Sequence, residues 1–324
     1  MGDREPTELG RGLVIGAGGA VGGAWAAGML CALADTGDWD ATALDVVVGT
    51  SAGSVLAALL GAGVPPRAMV EVLGGAADPI GGPLTSSVDI RDRVAHALTD
   101  IPWPLPFPGN LRLAARALGQ PGRYPLRATA AALAPRGRGS LAPVGELIGE
   151  VCGSDGWAAR PRTWLVAMDY DSGRRVTFGA AGQPTSSLPD AVMASCSVPG
   201  LFPPRRIGSR RYVDGGAISV TNADVLADAH LDEVLVLAPM TIAGPDPRRT
   251  AAARVDRCLR QYLTQRLASE VQRLTETGTT VRVFAPTAKD LEAMGTDPMD
   301  ARRRTDVFET ALRTNASQRI FPAA

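Results

Sequence analysis

Gly49-Thr50-Ser51-Ala52-Gly53 places a serine between two glycines, where a run of valines gives way to an alanine-rich stretch. Serine is a weak nucleophile unless its hydroxyl is held clear of its neighbours and close to a base. A chain passing from strand to helix at Ser51 must turn sharply, and Gly49 and Gly53 relieve the crowding that such a turn creates. The turn lifts the hydroxyl above the sheet edge and places it at the N-terminus of the next helix. The chemistry available there is attack on an acyl carbonyl. The five-residue pattern recurs by chance, so its weight comes from its placement after Val46–Val48 and before Ser54–Leu60. The competing bland reading is a tight turn carrying a solvated serine.

Attack on a carbonyl creates an oxyanion that needs donors. Gly16-Ala17-Gly18-Gly19-Ala20-Val21-Gly22-Gly23 supplies backbone amides unobstructed by side chains, and Gly18 and Gly19 are the candidate oxyanion-hole donors. A dinucleotide loop requires G-x-G-x-x-G, and Val21 stands where its third glycine should be. No Gly-Lys-Ser/Thr follows, which excludes a P-loop. A loop that merely packs closely on a helix is the alternative.

Three residues compete as base. Asp214 ends the strand Arg211–Val213 at a Gly-Gly turn, and desolvation could lift its carboxyl toward the operating pH. His230 precedes the strand Glu233–Ala238 and so falls at the sheet edge opposite Ser51. His96 lies on a helix within an insertion and could reach the serine only if that segment folds back. Ser195, in Ala194-Ser195-Cys196-Ser197-Val198-Pro199-Gly200-Leu201-Phe202, has no flanking glycines and is set aside as a second nucleophile.

The elements that must position these groups follow from apolar patterning. Leu13–Ile15 and Val46–Val48 are short buried strands, with Ala24–Leu33 and Ser54–Leu60 as helices. Two strand–loop–helix units in succession imply a mostly parallel sheet covered on both faces, an α/β three-layer sandwich. Thr163–Met168 and Arg175–Phe178 form a hairpin around Asp171–Arg174. Apolar residues at helical spacing from Val255 to Leu274 predict a helix over Arg254–Glu276, and Thr280–Ala285 is expected to close the sheet. Residues 78–139, rich in proline and glycine, read as a lid-like helical insertion within a single domain spanning 1–324.

Composition narrows the partners. Of 324 residues, 33 are basic and 33 acidic, a balance that argues against nucleic acid as a partner. Cys31, Cys152, Cys196 and Cys258 lack the spacing of a zinc site or a disulfide framework, and two histidines cannot build a histidine-rich metal centre. No metal or cofactor site is expected, and scarce thiols fit the cytoplasm. Leu13–Ala34 carries no charge, yet it lacks a basic leader and is crowded with glycine, so an exported or membrane-spanning reading is disfavoured.

Taken together, the four motifs resemble the patatin-like phospholipase family: glycine loop, G-x-S-x-G turn, Ala194–Phe202 segment and Asp214-Gly215-Gly216, in that order. Asn222 also looks familial. The resemblance spans about Gly12 to Pro239. It implies a Ser51–Asp214 dyad and metal-free hydrolysis of a lipid or other acyl ester. Two departures touch the glycine loop, where Ala17 replaces a usual glycine and Val21 a usual basic residue. The insertion mixes Trp103, Phe107 and Tyr124 with Arg112, Arg116, Arg123 and Arg127, which suits peripheral membrane contact or a folded lid with a solvated basic side. Acyl transfer through the same acyl-enzyme, and a lipid-binding protein that has kept the fold, are the rival functions.

Overall fold

Apolar runs without polar alternation need cover on both faces, and the central strands obtain it as parallel neighbours. A computed structural model describes residues 10–36, 39, 43–72, 88–120, 122–124, 126–153, 156–314 and 319–320. Its N-terminal part runs β1 (Arg11–Ile15), α1 (Gly19–Thr36), β2 (Val46–Thr50), α2 (Ala52–Gly61) and α3 (Pro66–Val72). A covering segment follows, with α4 (Val88–Thr99), β3 (Leu105–Pro108), α5 (Leu111–Gly119), α6 (Leu126–Leu133) and β4 (Pro135–Arg136). The chain then re-enters the sheet through α7 (Ala142–Cys152), β5 (Arg162–Asp169), β6 (Arg175–Phe178), α8 (Leu188–Cys196), β7 (Arg205–Ile207) and β8 (Arg210–Asp214). It ends with β9 (Glu233–Leu237), α9 (Ala251–Glu276), β10 (Thr280–Phe284), α10 (Ala288–Met294), α11 (Arg304–Thr314) and β11 (Arg319–Ile320).

β10, β9, β1, β2 and β5 are parallel in that spatial order, and β11, β6, β8 and β7 add antiparallel pairings. Alternate strand residues feed two different cores. Leu13, Ile15 and Val47 point into one with α1, α2, α7 and α8. Val14, Val46 and Val48 point into the other, where Leu267, Val271 and Leu274 of α9 cover them. Three layers result. Each fully buried valine or leucine contributes about 1.5–3 kcal/mol relative to exposure.

The pairing around β5 decides where the chemistry lies. β2 runs parallel to β5 and ends with Thr50 beside Val166. β8 runs antiparallel and ends with Asp214 beside Ala167. Leu165 and Val166 pair with both β2 and β6, while Ala167 and Met168 pair with both β6 and β8. β6 therefore occupies one edge of β5, and β2 and β8 share the other, meeting end to end. The direction of β8 is essential, because only an antiparallel strand delivers its C-terminal residue to the C-terminal end of β2.

Three expectations are revised. Helix α1 starts at Gly19 rather than Ala24, with the Gly22 amide donating to the Gly18 carbonyl at 2.9 Å. Close packing outweighs propensity there, since a Cβ on Gly22 would lie 3.2 Å from Pro239 and one on Gly23 3.3 Å from Ala52. β10 does not close the sheet, because β11 pairs along its outer side. The insertion is not wholly helical, since Leu105–Pro108 pairs with Pro135–Arg136. Residues 78–87 of the expected insertion lie outside the described residues.

Candidate active site

Ser51 occupies the turn between β2 and α2 with φ 56° and ψ −127°. A non-glycine residue held in such a conformation stores of order 1–3 kcal/mol, and surrounding bonds must maintain it. The Ser54 amide and hydroxyl donate to the Ser51 carbonyl at 2.7 and 2.6 Å, and the Cys196 thiol donates to the same oxygen at 3.2 Å. Burial pushes the Cys196 thiol up to about 12, so it stays protonated and serves as a donor. On the other side, the Ser51 amide donates to Ser195 Oγ at 3.0 Å, and that hydroxyl donates to the Val166 carbonyl at 2.7 Å. A Cβ on Gly53 would run into the Ile15 carbonyl, which explains the glycine two residues after the serine; Gly49 lies within β2 two residues before it.

Asp214 is 4% exposed and points across the junction of β8 with β2. Its carboxylate accepts the Gly216 amide at 2.6 Å, and the Ser51 hydroxyl lies close enough to pull its pKa down. Burial pushes the carboxyl up to about 6, against the opposing pull of the Ser51 hydroxyl, the Gly216 amide and the Arg127 cation. Asn222, at φ 53°, fastens the two halves together: its amide donates to Ser219 O at 2.6 Å and to Thr50 Oγ1 at 3.2 Å. Glu270 supports this turn from α9 by accepting the Thr221 hydroxyl at 2.6 Å and the Ala223 amide at 2.8 Å.

The glycine loop comes to the same place. Its Ala17 amide is spent on the Val220 carbonyl and its Val21 amide on Pro298. Among the described residues no carbonyl takes the Gly18 or Gly19 amide, and both glycines line the cavity above Ser51. Gly19 has φ 60°, and a Cβ there would come within 2.5 Å of the Pro298 carbonyl oxygen. The N-termini of α1 and α2 thus converge beside the serine, and their dipoles favour negative charge.

That cavity measures about 550 Å³ and is walled almost wholly by apolar groups, among them Val55, Val144, Leu147, Leu201 and Phe202. Val94 and Leu98 of α4 and Ala130 and Ala131 of α6 face it from the covering segment. Arg127 also faces it, contrary to the expectation that this residue would stand outward with Arg112, Arg116 and Arg123. Those three are exposed, as are Trp103 and Phe107, whereas Tyr124 is half-buried. Sequence reasoning missed this inward turn, although positions 127, 130, 131 and 134 share one helical stripe and all line the cavity.

The histidines stand apart. His230 is exposed at the N-terminal end of β9, the edge opposite Ser51. His96 is exposed on α4 with its ring nitrogen against the Asp92 carbonyl, and it does not line the cavity although its neighbours Val94 and Leu98 do. The clamp of Ser195 on the elbow and the bond from Thr50 to Asn222 escaped the sequence reading, because both depend on strand register across β5. Val21, the departure in the glycine loop, is 2% exposed and belongs to the core.

A strained serine turn beside a buried carboxyl, on a three-layer α/β sheet, is an arrangement in which a serine can serve as a nucleophile. The patatin-like phospholipase model matches residues 13–227, a span that holds all four motifs, and the chain belongs to that family. Similar solved structures include VipD from Legionella pneumophila, at 16% identity and TM-score 0.38, with 98% of this chain and 69% of that chain covered. Another is the type III effector protein ExoU, at 18% identity and TM-score 0.33, with 98% of this chain and 56% of that one covered. The chain thus spans little more than half the length of ExoU.

Proposed function

We propose that the chain is a lipolytic serine hydrolase in which Ser51 is the nucleophile and Asp214 the base. The observation that carries this reading is that Ser51 and the buried Asp214 carboxyl, whose pKa the serine hydroxyl lowers, line the same largely apolar cavity. Family membership supports a lipid ester as the substrate. Asp214, ionised above about pH 6, accepts the serine proton as Ser51 attacks the acyl carbonyl. The Gly18 and Gly19 amides, aided by the two helix N-termini, receive the oxyanion. Asp214 returns the proton to the leaving alkoxide, then deprotonates the water that releases the acid. The cavity walls take the acyl chain, and excluding water strengthens each electrostatic contact inside.

The described part of the 78–139 segment acts as a lid in this proposal, since α4 and α6 roof the cavity. Exposed Trp103 and Phe107, with Arg112, Arg116 and Arg123 in the same segment, would meet a membrane interface, rings entering and cations against phosphate. Leu259 and Tyr262 extend the exposed apolar surface to the cavity wall. The enzyme would act in the cytoplasm or at a membrane surface; no described helix is long and apolar enough to cross a bilayer.

The test is hydrolysis of p-nitrophenyl butyrate and palmitate by wild type, Ser51→Ala and Asp214→Asn, with fluorophosphonate labelling alongside. Wild type should turn over and label, Ser51→Ala should do neither, and Asp214→Asn should lose about 10²- to 10⁴-fold in rate. Full activity in Asp214→Asn would remove the dyad from consideration. Co-sedimentation with anionic vesicles that is unchanged in Trp103→Ala/Phe107→Ala would remove the membrane contact.

A further inference from the structure

Arg127 has no evident structural reason to face the cavity. It is half-buried on the inner stripe of α6, among Ala130, Ala131 and Ala134. No hydrogen bond or ion pair holds its guanidinium among the described residues; its charged surroundings are Asp214, Tyr262 and Arg266. Asp214 already accepts the Gly216 amide beside the Ser51 hydroxyl, and it feels Arg127 only through space, as the weakest of the influences upon it. Arg266 is a like charge. Burying a cation costs free energy that a hydrogen-bonded anion normally offsets, and desolvation does lower the Arg127 pKa here. A planar fork of five donors in a largely apolar chamber, which Arg304 also lines with its Nε on the Ala301 carbonyl, matches an oxyanion group arriving from outside.

We propose that Arg127 is a specificity-determining residue that receives the phosphodiester of a phospholipid or lysophospholipid while the ester carbonyl sits at Ser51. The inference rests on the hydrolase reading above and adds the substrate's charged group to it. The cavity's apolar walls hold the acyl chain, Ser51 and Asp214 address the carbonyl, and Arg127 fixes the headgroup end. A neutral glyceride fits the same chamber but leaves the guanidinium without a partner.

The decisive quantity is a ratio: kcat/KM for 1-decanoyl-lysophosphatidylcholine over that for 1-decanoylglycerol, both below their critical micelle concentrations. Arg127→Gln should lower this ratio about 10- to 100-fold, the worth of a hydrogen bond to a charged group, and Arg127→Lys should recover part of it. If Arg127 serves only to lower the Asp214 pKa, Arg127→Gln will shift the pH–rate profile equally for both substrates. An unchanged ratio, whatever the absolute rates, overturns the proposal. Should wild type hydrolyse neither substrate, the hydrolase reading fails, and binding still decides the role of Arg127. Calorimetry with decylphosphocholine and decyl maltoside should then show a loss of 10-fold or more in Arg127→Gln for decylphosphocholine alone. Equal affinities in both proteins overturn the proposal, and circular dichroism establishes that each variant is folded.

Discussion

Replacing Asp214 by asparagine should remove activity and stabilise the protein at the same time. Burial raises the carboxyl from an ordinary value of 3.8 to about 6. The folded state therefore holds its proton more tightly than the unfolded chain, so stability is greatest below about pH 4 and declines as pH rises to about 6. Above that the loss is constant, about 2 pH units at 1.36 kcal/mol each, or about 3 kcal/mol. Asparagine keeps the acceptor for the Gly216 amide and never ionises, so it escapes the loss. Asp214→Asn should be more stable than wild type by about 3 kcal/mol at pH 8 and by less than about 1 kcal/mol at pH 4. With an unfolding entropy of about 2 cal/mol/K per residue, 3 kcal/mol raises the melting temperature by about 4 °C. Thermal melts of both proteins at pH 4, 6 and 8 measure the divergence directly. Parallel melting curves across that range would show that Asp214 is not held at a desolvation cost, and the base assignment would lose its physical support.

Turnover of a neutral ester should rise with pH through about 6 as Asp214 ionises and then level off; a profile centred near 4 would indicate a solvated carboxylate. Gly19→Ala should leave the circular dichroism unchanged but reduce kcat at least about 10-fold, because the new methyl group meets the Pro298 carbonyl and displaces a donor amide. Ser195→Ala should destabilise the fold by about 1–3 kcal/mol in urea titration and lower kcat, since the buried Ser51 amide and Val166 carbonyl both lose their partner. A silent Ser195→Ala would mean that other bonds alone maintain the Ser51 turn.

Groups that depend on local chain geometry were legible from their neighbours in sequence. Ser51, Gly49 and Gly53 announce a turn because valines precede it and alanines follow, and the turn is where β2 meets α2. The three-layer sandwich followed from two strand–loop–helix units read in succession. The position of Asp214 beside Ser51 was expected, but its cause was not visible: the antiparallel run of β8 is set by pairing with β5, more than 40 residues earlier. A separation of 29 residues likewise hid the clamp from Ser195 to Val166. Arg127 was misread because charge suggests exposure, and only the alanine stripe of α6 indicated otherwise. The start of α1 was misplaced because glycine's poor helix propensity yields to close packing against Pro239 and Ala52.

The end-to-end meeting of β2 and β8 also orders events in time. A ribosome making this chain releases the serine 163 residues before the aspartate, and for that interval the proposed nucleophile lacks its proposed base. At synthesis rates of about 5–20 residues per second the interval lasts roughly 8–30 s. Under the proposed dyad, nascent chains should be silent toward the lipids around them until β8 docks on the strand that β2 already flanks. In refolding, recovery of turnover should lag behind recovery of helical signal, because it reports the last long-range strand pairing rather than collapse.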